Sequence, residues 1–274
     1  HSIGYVSRID ESDLKNISKL GLDSSYSATN HIGKLGIEKS YELYLHGEVG
    51  FQKVEVNAAG RVIRVLERTD AKPGKSIYLT INLSLQEVAI ESLNNKKGAI
   101  VAMDPRSGEI LTFVSSPSYD PNAFSNGIDN QLYQSLLSSK EKPLINRVIQ
   151  GKYPPGSTIK PFLGLIALEN GIKNVEEEVW CPGWFSLEGH EHRYRDWKKQ
   201  GHGYTNLSKA IIQSCDVFFY KLAYGLGIDK IYKGLSRFGF GQTSGLDIDN
   251  ERIGLLPSRE WKRRSKNQAW FPGE

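Results

Sequence analysis

The 274 residues include only two cysteines and one methionine, and no apolar run approaches the length of a membrane span. The longest uninterrupted apolar stretches, such as residues 162–168, fall far short of the roughly 20 residues needed to cross a bilayer. None of this sequence is therefore expected to span a membrane. Two cysteines, Cys181 and Cys215, are too few for a disulfide scaffold and enough for one bridge or half of a metal site. Charge of one sign is also scarce, since 35 basic against 31 acidic residues leave a net charge of +4. That excess is too small to make nucleic acid the expected partner. The stretch that opens at His1 lacks the charged start and apolar centre of a signal peptide, so any address or membrane anchor is expected upstream of it.

With 39% hydrophobic and 24% charged residues, the chain has the composition of a folding globular protein. Its length favours a small domain ahead of an incomplete larger one. Up to about Pro73 the sequence is polar and punctuated by glycine, with short alternating runs at 53–56 and 62–65 that read as strands. Gly47, Gly50 and Gly60 supply the turns between them. The stretch 68–75, containing Pro73-Gly74, is the best linker, which puts the domains at 1–74 and 75–274. The second block opens with 77–81, followed by Asn82 or Ser84 as N-cap of an amphipathic helix ending near Asn94. A buried-strand pattern at 98–104, a turn at 105–108 and a second strand at 109–115 make a hairpin. Apolar residues at three- and four-residue spacing then predict helices over 157–170, 206–213 and 217–226. The whole reads as an α+β or α/β chain without internal repeats.

The most informative stretch is Tyr153-Pro-Pro-Gly-Ser157-Thr-Ile-Lys160-Pro161, a Ser-x-x-Lys at the start of a helix. Residues three apart share one helical face, so the Lys160 amine can reach the Ser157 hydroxyl. A lysine taken out of water gives up its proton more readily and can serve as base for the serine. The helix N-terminus adds N–H donors and a positive dipole end that favour the oxyanion formed when Ser157 attacks a carbonyl. The bland alternative is an N-cap serine with an exposed lysine. The second cluster, Ser214-Cys215-Asp216, lies 57 residues downstream between two predicted helices. In a tight interhelical link Ser214 and Asp216 face one side and Cys215 the other. Ser214 can then relay a proton, and Asp216 can fix Lys160 or a substrate amide. Taken alone, this triplet reads equally well as a helix cap.

Ser-x-x-Lys followed by Ser-x-Asn or Ser-x-Asp resembles the signature order of penicillin-binding proteins and serine β-lactamases. The wider text narrows the resemblance. Gly33-Lys-Leu-Gly-Ile-Glu38, Tyr41, Leu45-His-Gly47, Gly50 and Gly60-Arg61 resemble the pedestal, or dimerisation-like, domain of class B penicillin-binding proteins. Tyr194-Arg-Asp-Trp197, Gly201-His-Gly203 and Gly239-Phe-Gly241 resemble the elongation-type members of that class. The resemblance implies the C-terminal part of a pedestal followed by an incomplete penicillin-binding, serine β-lactamase-like transpeptidase domain. It further implies an enzyme on the periplasmic face of the bacterial inner membrane, held by an upstream single-pass helix. Its implied chemistry is an acyl-enzyme on Ser157 formed with D-alanyl-D-alanine stem peptides and resolved by the amine of a neighbouring stem. β-Lactams would acylate the same serine, and a membrane glycosyltransferase and elongation scaffold proteins would be partners.

Two departures stand out. Asp216 occupies a position where much of the superfamily has Asn, replacing an amide donor by an acceptor. No Lys-Thr-Gly or Lys-Ser-Gly occurs in the 274 residues. In the family that strand supplies the substrate-carboxylate site and one oxyanion donor, and loss of one such donor alone costs about 10²–10³ in rate. The chain by itself is therefore expected to be inactive.

If Ser214 and Asp216 face the cleft, Cys215 points into the domain, where Cys181, Asp196 and His202 could meet it. Those four would suit a closed, structural zinc site pinning the Ser214 turn from behind. Their spacings of 15, 6 and 13 residues lack the compact pairs of a zinc finger. A Cys181–Cys215 disulfide or two unrelated buried thiols are the alternatives, and His190 and His192, in what reads as an exposed turn, are spare ligands. Lys262, Arg263, Arg264 and Lys266 read as a solvated face or as a contact for an anionic glycan or lipid surface. Trp180, Trp184 and Trp197 read as packing or as the lining of a substrate groove. A serine β-lactamase and a non-catalytic β-lactam sensor or cell-wall scaffold are the rival functions, and the pedestal block argues against the first.

Overall fold

A computed structural model describes residues 1–172 and 174–273. Packing divides the chain into two compact units, one of residues 1–151 with 245–252 and one of residues 152–244 with 253–274. This partition differs from the 74/75 boundary drawn from the linker composition.

The first unit begins with an antiparallel pair, β1 (Tyr5–Arg8) and β2 (His31–Leu35), joined by α1 (Glu11–Lys19) and α2 (Asp23–Tyr26). Asp10 starts α1 with a reciprocal cap: its carboxylate accepts the Ser12 and Asp13 N–H groups, and the Asp13 carboxylate accepts the Asp10 N–H. Such caps satisfy donors that the first helical turn leaves unpaired. After α3 (Gly36–Ser40) and α4 (Glu42–Leu45), the two runs read as strands become β3 (Phe51–Val56) and β4 (Val62–Thr69), which pair as a hairpin. Next come α5 (Leu83–Leu93), capped by the Asn82 side chain on Leu85 N–H and closed by left-handed Asn94, and the hairpin of β5 (Gly98–Met103) with β6 (Ile110–Ser116). The stretch 77–81 forms no strand. The chain bends at Thr80, whose Oγ1 donates to the Ile110 carbonyl, and Ile77 and Ile81 pack against Ile37, Phe113, Ile149 and Ile248 in this unit's core.

The unit ends through α6 (Asn130–Ser138) and α7 (Arg147–Gln150). Arg147 is buried, which its charge permits because the guanidinium donates to the Glu141, Lys142 and Ile145 carbonyls. A buried charge left without such partners would cost several kcal/mol, of order 2–7 even for a neutral polar group.

The second unit is mainly helical. Its long helices are α8 (Lys160–Glu169), α10 (Asp216–Leu226), α11 (Ile228–Arg237) and α12 (Arg259–Lys266), with α9 (Leu207–Ile212) preceding α10. Two short antiparallel pairs lie between α8 and α9. In these, β7 (Val179–Cys181) pairs with β10 (Gly203–Thr205), and β8 (Trp184–Phe185) pairs with β9 (Tyr194–Arg195). The core gathers Ile166 and Ala167 of α8, Leu207 and Ala210 of α9, Val217, Phe218, Phe219, Leu222 and Leu226 of α10, and Leu235 of α11. Because α10 is apolar on most of its circumference, it is the central helix, and its N-terminus is fixed by everything packed around it. Cys181 and Cys215 belong to the same core. Among the described residues no helix is long and apolar enough to cross a membrane.

Candidate active site and the buried cluster behind it

Ser157 sits in a 3₁₀ turn, Gly156–Ile159, that runs straight into α8, so Lys160 is the first residue of that helix. Ser157 is exposed and Lys160 is buried. The other half of the site is the turn between α9 and α10. There the Cys215 N–H bonds to the Ala210 carbonyl (2.9 Å) and the Ser214 N–H to the Ile211 carbonyl (3.2 Å). These are the paired bonds of a Schellman helix end, which favours glycine at its left-handed position. Here that position is Ser214, at φ +54°. A side chain in this region costs roughly 1 kcal/mol, and in return the Ser214 Oγ lies 2.7 Å from the Ser157 Oγ.

The direct Lys160–Ser157 contact expected from three-residue spacing is not made. The Lys160 ammonium donates to the Ser214 carbonyl (2.8 Å), the Ser214 Oγ (3.1 Å) and Asp216 Oδ1 (2.5 Å). An ammonium has three donors, so all are used and its link to Ser157 passes through the Ser214 hydroxyl. The physical reason is competition: a carboxylate and a carbonyl on the interior side outbid a neutral hydroxyl that faces water. Asp216 is the first residue of α10, where a negative charge also complements the helix dipole. Its second oxygen, Oδ2, accepts the Trp197 N–H (3.2 Å). The substitution of acid for amide therefore has a local use, because both oxygens act as acceptors.

Behind this turn the structure brings together Cys181 (β7), Asp196 and His202 (the β9–β10 segment) and Cys215, the N-cap of α10. All four are buried, and one potential ligand atom from each lies within 4.8 Å of the others. Asp196 Oδ2 is 3.6 Å from Cys181 Sγ and 3.4 Å from Cys215 Sγ. His202 Nδ1 is 3.7 Å from Cys181 Sγ and 3.5 Å from Asp196 Oδ1. Around a tetrahedral ion with bonds of about 2.0–2.3 Å, neighbouring ligand atoms are about 3.3–3.8 Å apart. The four donors thus have the spacing, burial and chemistry of a closed metal shell. His190 and His192 are exposed and lie outside it.

Asp196 does more than face the cluster. Its Oδ2 accepts the N–H groups of Asp216 (2.8 Å) and Val217 (3.1 Å), the first free donors of α10. Burial works against its charge, but the Val217 and Lys198 N–H groups, the Cys215 thiol and His202 together hold its carboxyl below the usual range. Burial, against a smaller opposing pull from the Phe218 N–H, pushes the Cys215 thiol up to about 12. Two glycines let the strands close on the cluster. Gly183 (φ +95°) and Gly201 (φ +76°) approach each other so tightly that a Cβ on Gly201 would stand 2.1 Å from the Cys181 carbonyl oxygen.

The basic run near the end of the chain is not uniformly solvated. Lys262 is buried on the inner side of α12, with its ammonium 5.1 Å from the Phe271 ring centre and 5.9 Å from that of Trp270. A cation near aromatic faces is stabilised electrostatically, and an aromatic pair so close along the chain was the available signal for it. Trp180 packs edge-on against Tyr204, and the Arg193 guanidinium stacks over Trp184. The two hydrogen bonds that Trp197 makes to the active turn had no signature in the sequence beyond its adjacency to Asp196.

Comparison with known proteins places the chain in a family. A family model of the penicillin binding protein transpeptidase domain matches residues 98–270, and one of the penicillin-binding protein dimerisation domain matches residues 1–79. The chain belongs to the penicillin-binding protein transpeptidase family, with a mixed α/β arrangement of dimerisation domain followed by transpeptidase domain. It is 45% identical over 274 residues to the peptidoglycan D,D-transpeptidase MrdA of Escherichia coli (strain K12), and 48% identical to MrdA of Acinetobacter baumannii. These matches take in all of this chain and 43% and 40% of those proteins, so the chain spans about two-fifths of their length. Among solved structures, Pseudomonas aeruginosa PBP2 in complex with WCK 5153 superimposes with a TM-score of 0.88 at 46% identity, over all of this chain and 56% of that one. PBP2 of Helicobacter pylori, in its complex with MreC, gives 0.90 at 37%, over all of this chain and 50% of that one.

The strained backbone at Ser214 yields a direct test. Ser214→Ala and Ser214→Gly both remove the hydroxyl, but only glycine relaxes at φ +54°. Denaturant unfolding is expected to find the glycine variant more stable than the alanine variant by about 1 kcal/mol. Equal stabilities would mean that the turn does not hold its left-handed geometry in solution.

Proposed function

We propose that the chain forms the nucleophile half of a peptidoglycan D,D-transpeptidase active site, acting on D-alanyl-D-alanine stem peptides during cell elongation. The observation that carries this reading is the continuous chain of hydrogen bonds from the exposed Ser157 Oγ through Ser214 Oγ to the buried Lys160 Nζ. Hydroxyl protons rotate to suit their partners. With Lys160 neutral, Ser157 can donate to Ser214 while Ser214 donates to Lys160, so the proton leaves Ser157 as its oxygen attacks the penultimate D-alanine carbonyl. The peptide C–N bond then breaks, and the same relay returns the proton to the departing D-alanine amine. What remains is an ester on Ser157, which the amine of a neighbouring stem attacks, displacing Ser157 Oγ and forming the cross-link. A β-lactam ring opens on the same oxygen and stays.

Asp216 keeps the Lys160 amine in line with Ser214 and stabilises the ammonium that forms while the proton of Ser157 is held there. The active protein works at the periplasmic face of the inner membrane beside a glycosyltransferase and a scaffold protein; likeness to PBP2 solved with MreC supports a protein partner of this kind.

The buried cluster of Cys181, Asp196, His202 and Cys215 holds a structural zinc ion. Two soft thiolates, an imidazole and a carboxylate with no open position suit zinc better than magnesium or calcium. When bound, the ion supplies a fixed cross-link between β7, the β9–β10 segment and the start of α10. Because its binding must displace the thiol proton of Cys215, retention depends on pH.

Two measurements bear on this reading. Intact-mass analysis of the full-length protein after incubation with a penicillin is expected to show one stable adduct, absent in Ser157→Ala. A folded full-length protein that forms no adduct would leave a scaffold role, and rapid hydrolytic release of the adduct would leave a β-lactamase. Metal analysis of the purified chain at pH 8 is expected to find about one zinc ion per molecule, much less in Cys215→Ser, and release on acidification to pH 5 as protons reclaim the ligands. A well-folded chain free of zinc at pH 8 would contradict the metal assignment.

A further inference from the structure

Trp197 is 65% exposed, so burial does not explain its position. What holds it is a pair of hydrogen bonds to the active turn. Its backbone N–H reaches Asp216 Oδ2, and its indole Nε1–H donates to the Gln213 carbonyl at 3.1 Å. The second bond lies at a sensitive place. At the end of α9 the Ala210 and Ile211 carbonyls are taken by Cys215 and Ser214 N–H groups, and the Ser214 carbonyl by Lys160. The Gln213 carbonyl is taken by the indole. The orientation of the peptide plane joining Gln213 to Ser214 is coupled to φ of Ser214, which together with χ1 aims its Oγ at Ser157.

We infer that Trp197 is a positioning residue for the acylation step, its indole N–H locking the Gln213–Ser214 peptide plane and thereby the left-handed Ser214. The inference rests on the transpeptidase reading of Ser157, Ser214 and Lys160. Without the indole bond only the 3.2 Å Ser214 N–H bond to Ile211 restrains the plane, Ser214 samples the negative φ that a side chain prefers, and its hydroxyl then leaves the line between Ser157 and Lys160. The ring's edge contact with His202, 5.5 Å between centroids, steers the indole from the other side.

The test replaces the N–H and little else. In the full-length protein, position 197 is made Trp197→Phe, and separately carries 3-benzothienyl-alanine, which has the shape of tryptophan with sulfur in place of the N–H. 5-Fluorotryptophan, which keeps the N–H, is the rescue. Acylation by a fluorescent penicillin is followed over a range of concentrations to separate the limiting rate from the dissociation constant of the non-covalent complex. The limiting rate is expected to fall roughly 3- to 10-fold for both N–H-free side chains, the effect of one neutral hydrogen bond. The dissociation constant, melting temperature and zinc content stay at parent values, and 5-fluorotryptophan keeps the parent rate. An unchanged limiting rate in the benzothienyl protein overturns the assignment, as does a loss confined to the dissociation constant, which marks a groove wall instead. A parent protein that forms no Ser157 adduct sinks the transpeptidase reading and this inference with it.

Discussion

The contact between the Asp196 carboxylate and the first N–H groups of α10 is the joint on which the site depends. One oxygen accepts from Asp216 and Val217 while also lying 3.4 Å from Cys215 Sγ and 3.6 Å from Cys181 Sγ. A helix N-terminus exposes unpaired donors and partial positive charge, and a buried carboxylate needs both. Each therefore stabilises the other, and the start of α10 is fixed in space by groups that never touch the cleft. Ser214 and Asp216 flank Cys215 in sequence, so the alternation of one short turn puts two functional side chains on the open side and one ligand on the closed side.

This arrangement explains an otherwise expensive set of choices. A serine stands where the helix end favours glycine, a lysine is buried, and a carboxylate sits in the core beside two thiols. Each would be destabilising alone. Lys160 is tolerated because three acceptors meet its three donors, and Asp196 because backbone N–H groups surround it. Strained or buried polar groups of this kind persist only where the surrounding structure over-determines them, and here the core of Ile166, Phe218 and Leu222 does so.

Much of this was legible from residue order. The hairpins at 51–69 and 98–116, the helix from Asn82 to Asn94 and helices α8 to α10 follow from apolar periodicity and capping residues. The Ser-x-x-Lys and Ser-Cys-Asp motifs led to the residues that the structure brings together, and so did the scattered set of Cys181, Asp196, His202 and Cys215. Other features were hidden for physical reasons. The two-residue strands β8 and β9 carry too little pattern to be recognised. Spacing alone joined Lys160 to Ser157, whereas the ammonium chose the acceptors that only tertiary structure supplies. Lys262 resembled its basic neighbours until Trp270 and Phe271 closed over it.

The central claim is that the buried cluster and the Ser157–Ser214–Lys160 relay are one mechanical unit. The most direct measurement is the rate of Ser157 acylation by a fluorescent penicillin in the full-length Asp196→Ala protein, with circular dichroism as the check on folding. Removing the carboxylate orphans two helix N–H groups and one corner of the cluster without touching the cleft. The account predicts a fall of at least about 5-fold with helical content retained, as expected when an interaction worth about 1–3 kcal/mol is lost. A folded variant that acylates at the parent rate would contradict it.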